Sequence, residues 1–200
     1  MKVRIKKNGK KKEFNLIKSW KDVTLEKWLK LMDFQEGRKS KEASETIAAL
    51  SDIPKTLIKE LTIKDVAIIL GEVAELQRKA DSSLKRIIEI DGKKYGFHPD
   101  LDQISLGEYA DLEHMLTKDM YKFMPDIMAI LYRPVTEEGA NGVYNIEAYD
   151  GNIKIRAEEM KKMAAEQVQS ALVFFYNFGR VLSIPLESFL IKATKEMKMQ

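Results

Sequence analysis

The stretch over residues 86–116, RIIEIDGKKYGFHPDLDQISLGEYADLEHML, limits the fold more than any other part of the sequence. Three isoleucines precede Asp91-Gly92, a dipeptide typical of a two-residue hairpin turn, and aromatic residues alternate with smaller ones behind it. Ser105 and Glu108 have the spacing of a capping box and predict a helix over the rest of the stretch. The sequence therefore predicts a β-hairpin that leads directly into a helix.

A similar signal lies near the start of the sequence. Asn8-Gly9 separates two short alternating segments and predicts a second hairpin, and Thr24 is a good N-cap for the helix behind it. An aromatic residue follows each cap by four positions, Trp28 here and Tyr109 in the other unit. Either one hairpin-plus-helix unit is used twice, or the similarity arises because hairpin turns and helix caps in general use the same residue types. Because an isolated hairpin is marginally stable in water, we expect both hairpins to form a single four-stranded sheet.

Most of the remaining sequence has apolar residues at helical spacing. Pro125 either kinks one of these helices or starts a new one, a long helix is expected from about Arg156 to Phe178, and Pro185 begins the last one. The predicted fold is α+β and predominantly helical, with two β-hairpins and with amphipathic helices packed on one side of them.

The same patterns divide the chain into three regions. Residues 1–135 are predicted to form the hairpin-plus-helix core, which the repeat would divide into units 1–80 and 84–135. Residues 136–152 are rich in glycine and predict a loop insertion with a brief strand. Residues 153–200 are predicted to form a C-terminal helical region.

Composition limits the class of protein. Hydrophobic residues make up 44% of the sequence, which is ordinary for a folded domain. We expect no membrane span and no secretory signal, because no window approaches eighteen uncharged apolar residues and the basic start has no apolar segment behind it. The absence of cysteine excludes disulfides, thiolate nucleophiles and zinc–thiolate sites, and it fits a cytoplasmic setting.

Tests for catalytic and metal-binding patterns give no candidate. His98 and His114 do not have the spacing of a known metal site with Asp100 and Asp102, and the calcium-loop pattern that begins at Asp100 is not continued. The sequence has no nucleophile elbow, phosphate loop or dinucleotide fingerprint. We therefore expect no catalytic residue, no metal and no cofactor, and we interpret the chain as non-enzymatic.

Carboxylates near the second hairpin are predicted to lie on the solvent-facing side of an amphipathic helix. They are Glu108, Asp111 and Glu113.

The lysines near the start of the chain are the main basic feature. The candidate phosphate contacts are Lys6, Lys7, Lys10, Lys11 and Lys12. They predict either contacts to nucleic acid or a solvated hairpin edge that resists strand aggregation. The second interpretation is favoured, because no aromatic platform accompanies the lysines.

Apolar residues cover more of the circumference of the C-terminal helix than packing against one neighbouring layer would bury. The helix is either a docking surface or a central helix that is buried all round. On the docking interpretation, the partner-binding residues of this helix and the preceding loop are Val143, Tyr144, Leu172, Phe174, Phe175 and Phe178.

One family resemblance adds a functional expectation. Residues 47–54, IAALSDIP, followed by Leu57, Leu61 and Asp65, resemble a helical pattern of tail assembly chaperones and other small assembly proteins of tailed bacteriophages. Segments within residues 90–134 resemble phage tail, baseplate and connector proteins. The resemblance covers about residues 45–135 and carries no catalytic residue. The lysine-rich hairpin and the long C-terminal helices depart from the short tail chaperones.

The resemblance implies a non-enzymatic phage assembly or virion structural protein that acts through protein–protein contacts. Its expected partners are other phage structural proteins or further copies of itself, with no membrane and no cofactor. The expected location is the host cytoplasm during assembly, or the virion. The alternative function is a nucleic-acid-binding module that uses the N-terminal lysines.

Overall fold

The computed structural model describes residues 2–7, 10–32, 39–81 and 83–174. The strands are β1 (Lys2–Lys7), β2 (Lys10–Asn15), β3 (Ile87–Ile90), β4 (Lys93–Phe97), β5 (Tyr132–Glu138) and β6 (Tyr144–Ile146). The α-helices are α1 (Leu25–Met32), α2 (Lys39–Leu50), α3 (Lys55–Ile58), α4 (Ile63–Arg78), α5 (Leu106–Asp119), α6 (Met124–Leu131), α7 (Lys154–Met160) and α8 (165–174). The prediction of an α+β, predominantly helical fold is confirmed.

The strands form two separate sheets. β1 and β2 make a two-stranded sheet, and a four-stranded antiparallel sheet has the order β3-β4-β5-β6. The prediction that both hairpins share one sheet is therefore wrong. The edge of β4 that faces away from β3 pairs with β5. The first hairpin instead contacts the helical region, where Asn15 donates from its backbone N and its Nδ2 to Asp52 at 2.6 and 2.7 Å.

The two predicted hairpin units have the same order of elements. Each hairpin is followed by a short 3-10 helix, Trp20–Asp22 in the first unit and Leu101–Gln103 in the second, and then by α1 or α5. Ser105 and Glu108 form the predicted capping box of α5. This common order is what a repeated unit would produce, and the duplication itself stays a prediction.

The segment predicted to be a loop insertion belongs largely to the sheet. Its predicted brief strand is β6, which pairs antiparallel with β5. The turn between them places Asn141 and Gly142 at φ 62° and 76°, a left-handed conformation that glycine and asparagine tolerate best. Residues 136–146 therefore complete a third hairpin at the edge of the four-stranded sheet.

Helix α6 lies at the centre of the core. All eight of its residues are buried, and Pro125 is in its first turn. Proline is tolerated there because the first N–H groups of a helix have no intrahelical partner. Pro125 therefore starts a helix, which decides between the two alternatives that the sequence left open.

The single long helix predicted from Arg156 to Phe178 is wrong within the described residues. α7 ends at Met160, and the chain turns over residues 161–163 and forms a β-bridge between Ala164 and Thr24 before α8 begins. Leu25 N donates to Met163 O, and Ala165 N donates to Val23 O, both at 2.8 Å. These tertiary bonds compete with helix continuation. Phe175, Phe178 and the helix expected from Pro185 lie outside the described residues.

No helix in the described part of the chain is long and apolar enough to cross a membrane.

Candidate functional site

The open edge of strand β3 is the first feature with the geometry of a binding site. β3 pairs with β4 on one side and has no neighbouring strand on the other among the described residues. Phe97 N donates to Arg86 O at 2.6 Å, so Arg86 and Phe97 form a hydrogen-bonded pair. Because hydrogen-bonded and non-bonded pairs alternate in an antiparallel ladder, the N–H and C=O groups of Ile87 and Glu89 point away from β4. The edge thus presents two residues ready for pairing.

A groove of about 370 Å³ runs along this edge, and we call it the β3 groove. One wall is strand β3, and the other is the link between α7 and α8 with the first turn of α8. Its lining residues are Lys21, Lys85, Ile87, Ile88, Glu89, Ile90, Lys162, Met163, Ala164, Glu166 and Gln167. The tertiary bonds that interrupt the C-terminal helix thereby create this second wall.

Two buried side chains in that wall have unused hydrogen-bonding capacity. Glu166 and Gln167 are 2% and 4% exposed. The Oε1 atom of Gln167 accepts from Lys85 N at 3.3 Å, which fixes the orientation of the amide. Glu166 Oε2 and Gln167 Nε2 have no hydrogen-bond partner within the described part of the chain. Because native proteins pair nearly all buried polar atoms, this acceptor and donor make the wall a candidate contact for a ligand.

Lysines form the rim of the β3 groove. Lys21, Lys85 and Lys162 are exposed, and Lys162 makes an ion pair with Asp91 of the hairpin turn. The hydrogen bond with Asp91 raises the pKa of Lys162 above its ordinary value. Glu89 is the exposed acid on the strand itself. The exposed rim therefore carries three lysines and one glutamate, and one of the lysines is paired with Asp91.

A buried ionic cluster is the second constellation. Arg133 on β5 lies 2.9 Å from Glu108 of α5, measured from Nη2 to Oε1, and both side chains are buried. The Nε2 atom of His98 lies 3.7 Å from the same oxygen. Tyr149 packs its ring against the Arg133 guanidinium and donates from its hydroxyl to Asp111. Four segments of the chain thus meet at one carboxylate–guanidinium pair.

The prediction that Glu108 lies on the solvent-facing side of its helix is wrong, because Glu108 is only 3% exposed. Its carboxylate closes the capping box, where Ser105 N donates to Oε2 at 2.8 Å, and its other oxygen pairs with Arg133 of β5. Asp111 is half-buried, and Glu113 is exposed as predicted.

The pKa values of the cluster move in the direction expected for a folded ion pair. Burial alone raises the pKa of Glu108, but hydrogen bonds with Ser105 and the charge of Arg133 outweigh burial and hold this pKa below its ordinary 4.5. Burial lowers the pKa of His98 below 6.5 and outweighs the attraction of Glu108. At neutral pH the cluster therefore contains a charged pair beside a neutral imidazole.

We expect the free energy of unfolding to fall as the pH is lowered from neutral. The unfolded chain takes up a proton at His98 near pH 6.5, whereas the folded chain resists it, so acidification favours unfolding. Glu108 adds a second loss that begins near pH 4.5, for the same reason. Urea unfolding at several pH values measures both losses.

A His98→Gln variant separates the two contributions to this pH dependence. Its stability should no longer fall near pH 6.5, while the loss near pH 4.5 remains. A wild-type stability that is flat or rises on acidification would contradict the assignment.

The ionic cluster acts as a structural element. None of its side chains lines the β3 groove or the groove between α6 and α7. Among the described residues no group of three His, Asp or Glu side chains is arranged to hold a metal ion. His98 is buried and His114 is exposed on α5.

The predicted partner-binding residues have different surroundings. Val143 is 66% exposed at the β5–β6 turn, and Leu172 packs partly buried against the core. Phe174 is exposed in part and places its ring edge-on to Phe97 at 5.5 Å between centroids. Tyr144 is 5% exposed and donates from its hydroxyl to Phe97 O at 2.6 Å, so little of its side chain is open to a partner in the described chain. Phe175 and Phe178 lie outside the described residues.

The lysines of the first hairpin face one another in the strand register. Lys6 is opposite Lys11, Lys7 is opposite Lys10, and Lys12 is opposite Ile5. The side chain of Lys12 is exposed, and the other four lysine side chains lie outside the described part of the structure. Like charges that are directly opposite in a ladder destabilise it.

Sequence reasoning missed Glu166 and Gln167, because it assigned them to a continuous helix with an apolar second half. The available signal was the adjacent polar pair in the stretch from Met163 to Val173, which also contains Gln169 and Ser170. Comparisons of the chain with protein-family models, with curated proteins and with solved structures found no match.

Proposed function

We propose that this chain is a non-enzymatic assembly or virion structural protein of a tailed bacteriophage, acting through protein–protein contacts in the tail, baseplate or connector region. The observation that carries the proposal is the β3 groove, which joins an open strand edge to two buried polar side chains without partners in the described chain. The assignment to phage assembly comes from the sequence resemblance over about residues 45–135.

A polypeptide is the ligand class that this geometry favours. The edge of a sheet recognises another chain by main-chain hydrogen bonds, which is a recurrent mode of peptide recognition. Natural proteins usually protect such edges, since an open edge invites pairing with other chains. An assembly protein binds other polypeptides as its function, and an open edge serves that function.

The test is fractionation of cells infected by the phage that encodes the chain. We expect an epitope-tagged copy to migrate with tail, baseplate or connector proteins, either in assembly intermediates for a transient role or in particles for a permanent one. A copy carrying Lys21→Glu and Lys85→Glu at the groove rim should migrate free. If the unmodified copy migrates only free at every stage of infection, the proposal is wrong.

Nucleic-acid binding is the second candidate function, and the observation that favours it is the lysine register of the first hairpin. The register places Lys6 opposite Lys11 and Lys7 opposite Lys10, and such a concentration of positive charge attracts the phosphates of DNA. Replacing Lys6, Lys7, Lys10, Lys11 and Lys12 with glutamine should remove any affinity for duplex DNA.

Salt dependence gives the quantitative form of this prediction. The slope of log K against log salt should become shallower by about 0.9 for every phosphate that the substituted hairpin no longer neutralises. Replacing Lys64 and Lys118, which are exposed on α4 and α5, provides the control. Equal slopes for the wild-type and hairpin variants would reject the DNA-binding function.

A further inference from the structure

We propose that the β3 groove binds an extended, acidic segment of a partner protein, which adds to the four-stranded sheet as a fifth strand. This inference deepens the proposed function. It depends on that function for the premise that the partner is another protein. Three features of the groove carry it: the free backbone groups of β3, the unused polar atoms in the opposite wall and the lysines at the rim.

The strand edge supplies the first half of the recognition. The outward N–H and C=O groups of Ile87 and Glu89 lie two residues apart, and an extended peptide presents its own groups with the same period. Such pairing is independent of side-chain identity. It sets the conformation of the ligand, which must be extended over about the four residues of β3.

The opposite wall supplies the second half. A strand paired with β3 has one row of backbone groups bonded and a second row turned away from the sheet. In the β3 groove, that second row faces the wall lined by Glu166 and Gln167, whose unpaired atoms have almost no accessible surface and become available when the wall shifts on binding. The Gln167 Nε2 atom donates and the Glu166 Oε2 atom accepts, so the wall offers one partner for a peptide carbonyl and one for a peptide N–H.

The wall also explains why a peptide is favoured over a small anion. A phosphate or a carboxylate has no donor for Glu166 and would meet its negative charge. An extended main chain satisfies both atoms at once, since each residue other than proline carries one donor and one acceptor. The pair of orphaned atoms thus matches a polypeptide better than any simple ion.

The rim selects the side chains of the ligand. Lys21, Lys85 and Lys162 are exposed around the groove, whereas Glu166 is buried in the wall and turned to backbone groups. Acidic side chains projecting from the bound segment lie near these ammonium groups, and basic ones are repelled. Charge complementarity of this kind sets specificity and association rate.

The experiment uses the full chain and two fluorescein-labelled peptides of nine residues, one alternating valine with glutamate and one alternating valine with lysine. We expect the glutamate peptide to bind about tenfold or more tightly than the lysine peptide, since a difference of about 1.4 kcal/mol is tenfold in affinity. A third peptide carries N-methyl groups on alternate backbone nitrogens, which removes main-chain donors, and it should lose most of the affinity. Fluorescence anisotropy measures all three.

Two variants test the charge contribution. Lys21→Glu combined with Lys85→Glu should reverse the preference, so that the lysine peptide binds more tightly. Lys64→Glu combined with Lys118→Glu changes the net charge equally at exposed positions outside the groove, and it should leave the preference unchanged. All four substituted side chains are exposed, so we expect both variants to fold.

Amide hydrogen exchange locates the binding. Exchange at Ile87 and Glu89 should slow when the glutamate peptide is bound, whereas exchange at the exposed edge strand β6 should not change. The inference is overturned if the glutamate peptide does not bind, if N-methylation has no effect, or if Ile87 and Glu89 exchange at the same rate with and without peptide.

The outcome is separate from that of the proposed function. If the chain migrates with tail proteins but no extended peptide protects β3, the strand-addition inference fails and the proposed function stands. If the peptide binds as expected but the chain never associates with phage proteins, the groove is a peptide site and the phage assignment fails.

Discussion

Replacing Glu108 with leucine should lower the free energy of unfolding by about 3–5 kcal/mol, because removing one partner leaves the other charge buried and uncompensated. Arg133 is that partner, at 2.9 Å and almost fully buried. The substitution also removes the carboxylate that accepts from Ser105 N at the start of α5. Chemical denaturation measures the loss.

Two further variants show whether the loss comes from the uncompensated charge. Glu113→Ala, an exposed position on the same helix, should change stability by no more than about 0.5 kcal/mol. Combining Glu108→Leu with Arg133→Met should recover much of the loss, since a buried ion pair can often be replaced by apolar residues at little cost. A double variant as unstable as Glu108→Leu alone would contradict this explanation.

Replacing Gly96 with alanine should lower the free energy of unfolding by about 1–3 kcal/mol, the usual cost of overpacking a core. An added Cβ would lie 2.5 Å from Cε2 of Tyr144 and 2.8 Å from Cγ2 of Ile146. The Tyr144 ring cannot move aside freely, because it is buried and its hydroxyl is bonded to Phe97 O. Tyr144 and Ile146 of β6 would have to shift away from β4.

Gly71 provides a matched control with the opposite expected sign. It is exposed on α4, and an added Cβ meets nothing within 4 Å. Gly71→Ala should therefore stabilise the protein by about 0.5–1 kcal/mol, the helix-propensity difference between the two residues. Equal effects of the two glycine substitutions in thermal unfolding would contradict the packing assigned to Gly96.

Local structure followed from local signals in this sequence. Asp91-Gly92 gave the β3–β4 hairpin, and Ser105 with Glu108 gave the start of α5, because turns and caps depend on residues that are close together in the chain. The same reasoning failed wherever a distant segment decided the outcome. The break after Met160 depends on backbone bonds to residues near Thr24, which no window of the sequence contains.

The candidate site was harder to predict than the fold for the same reason. Glu108 was assigned to the solvent-facing side of an amphipathic helix, but Arg133 is a partner from another element. The β3 groove needs an edge strand and a wall that lie about eighty residues apart in the sequence. The sequence predicted that Tyr144 contacts a partner because it lies in a glycine-rich segment, whereas the β5–β6 pairing places it in the core.

We propose that the open edge of β3 is a protein-binding surface in phage assembly, and site-specific crosslinking in infected cells tests this proposal. A photo-crosslinking amino acid replaces Glu89 on the edge strand in one variant and Glu113 on α5 in another, both exposed positions. We expect crosslinks from position 89 to a tail, baseplate or connector protein, which position 113 does not make. Crosslinks that are equal at the two positions, or none to any phage protein from position 89, would contradict it.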